Sequence, residues 1–219
     1  DWQTPQFTPH LKSTSKIKID YLSYTQIQTF NDCPLHYKAK YILKLSTPPS
    51  AASSFGNTIH KTLRDYYLRV NQNHQADILA IYARNWVPQG YLTQKHASDY
   101  FAKGQKYLTD YLKANQNAGE PVLMEEPFTI PLGSLKIGGK IDRIDLLSNG
   151  QIEIIDYKTS LKPLTPKQPA IDLQLSFYAL AAPLLPQAPF HKRPSDIKLS
   201  LYYFEDQCKV SVFQTADQL

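Results

Sequence analysis

The segment from Gly139 to Lys158 constrains the fold more strongly than any other part of this 219-residue chain. Two isoleucine-rich stretches flank Ser148-Asn149-Gly150, a combination typical of a β-hairpin whose glycine adopts the left-handed conformation. If these three residues form the loop, counting back from it places Asp142 directly opposite Asp156. A slip of one residue would move the two carboxylates apart, so this prediction depends on the turn.

Alternation of side chains gives the predicted hairpin two different faces. One face carries Asp142, Asp156 and Lys158, and it continues toward the turn with the apolar residues Ile144, Leu146, Ile152 and Ile154. The other face carries charged side chains that ordinary pairing would satisfy, namely Arg143, Asp145 and Glu153. Two carboxylates and a lysine are therefore expected together at the end of the first face.

Two adjacent carboxylates repel each other unless a cation lies between them. Hard oxygen ligands favour Mg²⁺ or Mn²⁺, which keep water ligands and use a substrate phosphate as a further ligand. Lys158 follows Asp156 by two residues, about 6.5–7 Å along a strand, so its ammonium group can reach the same phosphate. The pattern is short, however, and surface charges on an ordinary hairpin explain it as well.

The rest of the chain favours an α/β (α+β) fold with a mixed central sheet flanked by helices and a helical N-terminal half. Ser23 and Gln26 fit a capping box at the start of the first helix, which stops near Pro34. Further helical segments are predicted over 35–45, 55–70, 75–86, 94–115 and 171–185. Strands are predicted over 126–130, 135–147, 151–158, 197–204 and 209–213, and loops over 46–54 and 162–169. Residues 20–219 are expected to form one domain, preceded by an arm or linker remnant over 1–19.

Composition restricts the classes of function only loosely. A formal net charge of +5 suits a phosphate backbone, but many proteins that never bind nucleic acid share it. The two cysteines form no C-x-x-C pair, which argues against a self-contained zinc site. No apolar stretch approaches the roughly 20 residues that span a bilayer, and the start has neither Met nor a signal-peptide pattern. We therefore expect a cytoplasmic protein and a chain cut from something larger.

Four local patterns occur in the order found in RecB-like nucleases, the PD-(D/E)XK family that is fused to helicases of the UvrD, AddAB and RecBCD type. The patterns are Leu22-Ser-Tyr-Thr-Gln26 with Phe30 and Cys33-Pro34, Phe55-Gly56-Asn-Thr-Ile-His60, Gly139-Lys-Ile-Asp142 with Ile155-Asp156-Tyr157-Lys158-Thr159, and Gln174-Leu-Ser-Phe-Tyr178. Together they run from about residue 22 to 178, so the chain resembles this family over most of its length. The resemblance implies a restriction-endonuclease-like core.

The resemblance also implies roles for individual residues. His60, Asp142 and Asp156 would ligate the metal together with the Tyr157 carbonyl, and Lys158 would be the catalytic lysine. Two residues of the last motif, Gln174 and Tyr178, would contact DNA or orient the site. Each of these also has an ordinary interpretation, because a helical histidine or a polar pair at i, i+4 is often simple packing.

The chain departs from some members of the family, which hold a [4Fe–4S] cluster with four cysteines. Cys33 lies where the first of these cysteines would be, but only Cys208 follows it, so we expect no cluster from this chain. Cys33 is then expected to be a structural residue before Pro34.

The function that we expect is that of a Mg²⁺- or Mn²⁺-dependent deoxyribonuclease, with exonuclease action favoured over endonuclease action. It would be the C-terminal module of a helicase-nuclease for DNA repair and recombination, with DNA and a helicase motor as partners at the nucleoid. Two alternatives stay open at this point. In the first, the domain would be a catalytically inactive DNA-binding scaffold. In the second, it would be an unrelated α+β enzyme in which the hairpin pattern arose by coincidence.

Overall fold

The computed structural model describes residues 18–116, 121–160 and 173–213. Its helices are α1 (Tyr24–Asp32), α2 (Pro34–Tyr37), α3 (Ala51–Val70), α4 (Ile78–Asn85), α5 (Gln94–Ala114) and α6 (Leu173–Ala181). Its strands are β1 (Tyr21–Ser23), β2 (Leu123–Leu132), β3 (Leu135–Leu146), β4 (Ile152–Lys158), β5 (Ile197–Tyr203) and β6 (Cys208–Phe213). Residues 1–17 of the predicted arm and the loop predicted over 162–169 lie outside the described residues.

The N-terminal half is helical, as predicted, but the bounds and type of individual helices differ from the prediction. The Ser23–Gln26 capping box is present at the start of α1, which ends at Asp32. Helix α3 begins one turn earlier than predicted, at Ala51, because the Ser50 hydroxyl caps the Ser53 amide. The single helical piece predicted over 35–45 is instead α2 followed by a π-helical turn.

The six strands form one mixed sheet, in which β3 contacts three other strands. The antiparallel strand β2 pairs along one edge of β3. The other edge is shared, because β1 pairs in parallel with residues 136–138 and β4 pairs antiparallel with residues 143–146. Residues 139–142 pair with neither β1 nor β4. The sheet is therefore split at this position.

Each face of the sheet is covered by helices, as predicted for a mixed sheet flanked by helices. One hydrophobic core lies between the sheet and α6, and includes Ile144, Ile154 and Leu175. The second core lies between the opposite face and helices α3, α4 and α5, and includes Ile155 and Tyr157. Successive residues of β4 thus face different cores, which explains why the whole strand is apolar around its acidic residues.

Membrane association through a spanning helix is not indicated. Within the part of the chain that the structure describes, no helix combines the length and the apolar character that crossing a bilayer requires.

Candidate active site

The β3–β4 hairpin has the predicted register. The Leu147 amide donates to the Gln151 carbonyl at 2.9 Å, and Gly150 has a φ of +82° in the turn. The paired ladder runs from Leu146 opposite Ile152 back to Arg143 opposite Ile155. The next pair in this register is Asp142 and Asp156, which lie just past the end of the ladder. The predicted opposition is therefore correct, but it occurs where the two strands separate.

Asp142 replaces the missing strand pairing at this split. Its carboxylate Oδ2 accepts the Tyr157 backbone amide at 2.8 Å, so a side chain takes the place of a β3 carbonyl. The other oxygen, Oδ1, lies 3.1 Å from His60 Nδ1. Both contacts fix the Asp142 carboxylate, which is buried between β4 and α3.

His60 reaches the split from α3, which approaches the end of β4 closely. A Cβ added to Gly56, one turn before His60, would make ordinary van der Waals contact with Thr159 Oγ1 at 3.4 Å, so α3 lies directly against the end of β4. The His60 ring bridges two elements, since Nε2 lies 3.0 Å from the Tyr157 carbonyl while Nδ1 faces Asp142. Burial opposes protonation of the ring, but attraction to Asp142 and Glu125 outweighs it and raises the pKa of His60 to about 10.

Asp156 is held by helix α6. The Tyr178 hydroxyl donates to Asp156 Oδ1 at 2.9 Å, and the Gln174 amide donates to the same oxygen. Burial and the nearby Asp142 carboxylate raise the pKa of Asp156 above its usual range, although Lys158 opposes the shift. The predicted residues of the fourth motif, Gln174 and Tyr178, therefore contact the carboxylate directly.

Lys158 lies at the mouth of this cluster. Its Nζ is 2.6 Å from Asp156 Oδ2 and 2.5 Å from Gln174 Oε1, so the long side chain is fixed at both oxygens. A quarter of the side chain is exposed, while that of Asp156 is only 3% exposed. The ammonium group is thus positioned by buried groups and remains accessible to a ligand from solvent.

A third carboxylate, which the sequence analysis missed, belongs to the same cluster. Glu125 of β2 lies opposite Asp142 in the β2–β3 register, because Met124 pairs with Arg143 and Glu126 with Ile141. We name Glu125, Asp142 and Asp156 the carboxylate row, since they lie side by side on β2, β3 and β4. The strand was predicted to begin at Glu126, which left Glu125 outside it.

The opposite face of the hairpin carries the predicted charge pairing between Arg143 and Asp145, but this face is buried. Arg143 and Asp145 are buried, whereas Leu146, expected on the apolar face, is 54% exposed near the turn. Arg143 donates to Asp145 and to the hydroxyls of Tyr67 and Tyr111 at 2.6–3.0 Å. We name these four residues the Arg143 network. Its burial follows from helices α3 and α5, which cover this face.

The donor set fits a hard divalent cation. One ligand atom from each of His60, Glu125 and Asp142 lies within 4.8 Å of the other two. Glu125 Oε1 is buried and accepts no hydrogen bond from any residue that the structure describes. Carboxylate oxygens with one imidazole suit Mg²⁺ or Mn²⁺, and a buried oxygen that accepts no hydrogen bond is what a cation would satisfy.

Two clefts are lined partly by residues of the site or next to it. One is lined by residues at the start of α1 and by Lys140, Gln174 and Tyr178. The other lies at the start of α3 and is lined by Phe55, Lys103 and Thr159, among others. One cleft includes Gln174, which contacts Lys158, and the other includes Thr159, the residue that follows it.

The cysteines lie outside this arrangement. Cys33 and Cys208 are both free and exposed. Cys33 Sγ accepts the His36 amide at 3.4 Å and so caps α2, which agrees with a structural role before Pro34.

Comparison with known proteins identifies the family. The family model described as the PD-(D/E)XK nuclease superfamily matches residues 21–218. An uncharacterized protein of Rickettsia bellii (strain RML369-C) is 30% identical over 170 residues, and the match covers 71% of this chain but 20% of that protein. The chain thus spans about a fifth of that relative's length. A solved structure described as "Crystal structure of SSO0001" is 18% identical, with 86% of this chain and 80% of that chain covered, and its TM-score of 0.29 is too low to support an argument. By the family match over nearly its whole length, this chain belongs to the PD-(D/E)XK nuclease superfamily.

Proposed function

We propose that this protein hydrolyses DNA phosphodiester bonds at the carboxylate row. The observation that carries the proposal is the position of Lys158, whose ammonium lies 2.6 Å from Asp156 at the accessible edge of a buried acidic cluster. A lysine that only neutralised this cluster would not need the second contact to Gln174. Fixed in this way, it can donate to a phosphate without a large loss of conformational freedom.

The resident cation is proposed to be Mg²⁺ or Mn²⁺, held by His60, Asp142, Asp156 and the Tyr157 carbonyl. When bound, such a cation polarises a phosphoryl oxygen and lowers the pKa of a water molecule. The Tyr157 peptide supports both sides of this set, because its amide holds Asp142 and its carbonyl contacts His60.

The remaining polar residues would position the reacting groups. Gln174 contacts both Lys158 and Asp156, so it fixes the distance between the lysine and the acidic group. Tyr178 donates to Asp156, and its hydroxyl oxygen also lies 3.1 Å from the Lys140 carbonyl, which places α6 against the unpaired part of β3. Lys158 would stabilise the negative charge that develops on the phosphate or orient the attacking water.

The finer assignment follows the RecB-like resemblance. We infer an exonuclease module of a helicase-nuclease in DNA repair or recombination, with a helicase motor as partner and the nucleoid as its place of action. The match to one fifth of a longer relative is compatible with a module of this kind. An inactive DNA-binding scaffold gains no support, since Asp142, Asp156 and Lys158 are all retained and lie close together.

The test is cleavage of end-labelled single-stranded and double-stranded DNA with Mg²⁺, Mn²⁺ or EDTA. Asp156→Ala should abolish cleavage, whereas Asp110→Ala, a carboxylate on α5 away from the site, should not. A closed circular substrate measured in parallel distinguishes exonuclease from endonuclease action. Wild-type protein that binds DNA but cleaves neither substrate with any metal would favour the scaffold or a module that needs its motor.

A further inference from the structure

Glu125 occupies an unusual backbone conformation for a residue within a strand. Its φ is +55°, a left-handed value that residues with a Cβ rarely adopt. The irregularity changes the alternation of β2, because Leu123 and Phe128 contact the same core although they are five residues apart. In a regular strand, residues at an odd separation face opposite sides. Strain of this kind is kept where the side-chain direction matters, which here concerns the Glu125 carboxylate.

The two oxygens of this carboxylate have different surroundings. Oε2 forms an ion pair with Lys140, a residue of β3 whose side chain is 55% exposed. Oε1 lies 3.6 Å from His60 Nδ1 and accepts no hydrogen bond from the described part of the chain. The Glu125 side chain itself is only 7% exposed, so water does not substitute freely for the missing donor. Oε1 therefore points toward the candidate site, while Lys140 holds Oε2 from outside the site.

We propose that Glu125 is a further side-chain ligand for the cation and that Lys140 holds this carboxylate when the cation is absent. The inference rests on the proposed function, because it adds a ligand to the same site. Ligand atoms of Glu125, His60 and Asp142 lie within 4.8 Å of one another, which is close enough to share one ion. Glu125 extends the ligand set inferred from the resemblance, which included only residues of α3, β3 and β4.

Lys140 then competes with the cation for Glu125. In the metal-free protein, the Lys140 ammonium group neutralises part of the negative charge of the carboxylates. Once the cation is bound, the cation neutralises that charge instead. The exposed position of Lys140 allows the ammonium to move into the cleft that it lines beside Gln174. Removal of Glu125 and removal of Lys140 should therefore change cation affinity in opposite directions, and the loss of Glu125 should exceed the through-space effect of losing a neighbouring carboxylate that is not a ligand.

The experiment is a calorimetric titration of the full chain with Mn²⁺ in the absence of DNA. Glu125→Gln should weaken Mn²⁺ binding at least about tenfold. Lys140→Met should strengthen it, by up to about fivefold, which is the range of a partly exposed ion pair. Glu126→Gln is the matched control, because it removes the adjacent carboxylate of the same strand and should leave the affinity unchanged. Circular dichroism in EDTA establishes that each variant is folded.

The possible outcomes separate this inference from the proposed function. Wild-type affinity in Glu125→Gln would overturn the ligand role, while Mn²⁺ binding by the wild type would leave the nuclease proposal standing. Absence of Mn²⁺ binding by the wild type would instead contradict the proposed metal-dependent function. If Glu125→Gln does not fold, Lys140→Met provides the test. Unchanged or weaker Mn²⁺ binding by that variant would overturn the inference that Lys140 competes with the cation for Glu125.

Discussion

Two groups of buried charges lie one residue apart on β3, and their neighbours satisfy them differently. In the Arg143 network, the guanidinium group meets both oxygens of Asp145 and two tyrosine hydroxyls. In the carboxylate row, three acidic groups share His60 and two lysines, and Glu125 Oε1 accepts no hydrogen bond from the described residues. The comparison teaches that burial alone does not indicate function, because the Arg143 network is at least as buried. The candidate site differs because it brings three carboxylates together and leaves one of their oxygens without a hydrogen bond from the described residues.

The largest effect is expected from breaking the fully paired group. Arg143→Met should lower the free energy of unfolding by about 3–5 kcal/mol, because it leaves Asp145 buried without its partner. Urea unfolding in EDTA, followed by circular dichroism, measures this change. A loss below about 1 kcal/mol, the usual size for an exposed pair, would show that the network is not the structural element that we infer. Arg64→Met, which breaks a partly exposed pair with Asp65, is the control.

The next largest effect concerns catalysis and not stability. Lys158→Ala should lower the single-turnover cleavage rate by about 10²–10³-fold, equivalent to about 2.7–4 kcal/mol, as found when a positioned donor to developing charge is removed. Binding of Mn²⁺, and of DNA in Ca²⁺, should not be weakened, because Lys158 is not a proposed ligand and its ion pair with Asp156 competes with the cation. Lys106→Ala on the exposed face of α5 controls for loss of positive charge. Cleavage at the wild-type rate by Lys158→Ala would remove the role that we assign to this residue.

Two isosteric substitutions on β4 extend the comparison to Glu153, a buried carboxylate outside both groups whose oxygens are fully paired. Ser200, Lys198 and Lys209 surround Glu153 and lower its pKa despite burial, so its ionised form stabilises the fold above the pKa of the unfolded chain. Glu153→Gln should therefore lower the free energy of unfolding at pH 7, by about 1.5–3 kcal/mol for the lost charged hydrogen bonds.

Asp156 should respond in the opposite direction. Its pKa is raised by burial and by Asp142, so the ionised form is disfavoured in the folded, metal-free protein. In EDTA, Asp156→Asn should leave the free energy of unfolding equal to that of the wild type or slightly higher, within about 1 kcal/mol. It should also remove the stabilisation that Mn²⁺ confers on the wild type. Equal losses of stability in both variants, measured by urea unfolding, would show that the two carboxylates do not differ as we infer.

The sequence alone predicts the hairpin and its chemistry because both depend on local rules. A three-residue turn with Gly150 in the left-handed conformation sets the register, and the register sets which carboxylates are neighbours. The faces were predicted less well. Burial of Arg143 and exposure of Leu146 depend on which helices cover the sheet, and no periodicity within the strand contains that information.

The position of Glu125 opposite Asp142 also follows from counting the strand register back from a turn. Gly133, with a φ of +59°, starts a two-residue turn between Leu132 and Leu135. Counting back from that turn places Glu125 opposite Asp142, so the sequence did contain the information. Strand β1 is different, because it has three residues and pairs in parallel with a distant part of β3. Pairing of this kind follows from tertiary contacts and not from a local pattern.

A further predicted effect is a pH dependence of cation binding at the carboxylate row. Because Asp142 and Glu125 outweigh burial and raise the pKa of His60 to about 10, the imidazolium form stabilises the metal-free protein fully below pH 6.5. This contribution is lost as the pH rises toward 10. A cation requires the neutral ring, so binding should release a proton, and affinity should rise about tenfold, or about 1.4 kcal/mol, per pH unit.

Calorimetric Mn²⁺ titrations at pH 6.5, 7.5 and 8.5, in buffers of different ionisation enthalpy, measure both the affinity and the protons released. His60→Gln should reduce the slope and the proton release together, whereas His74→Gln, on an exposed turn, should change neither. Mn²⁺ binding without proton release in the wild type would contradict either the raised pKa of His60 or its role as a ligand. Unchanged affinity and unchanged proton release in His60→Gln would exclude the ring from the ligand set, because an imidazolium must lose its proton before it ligates a cation.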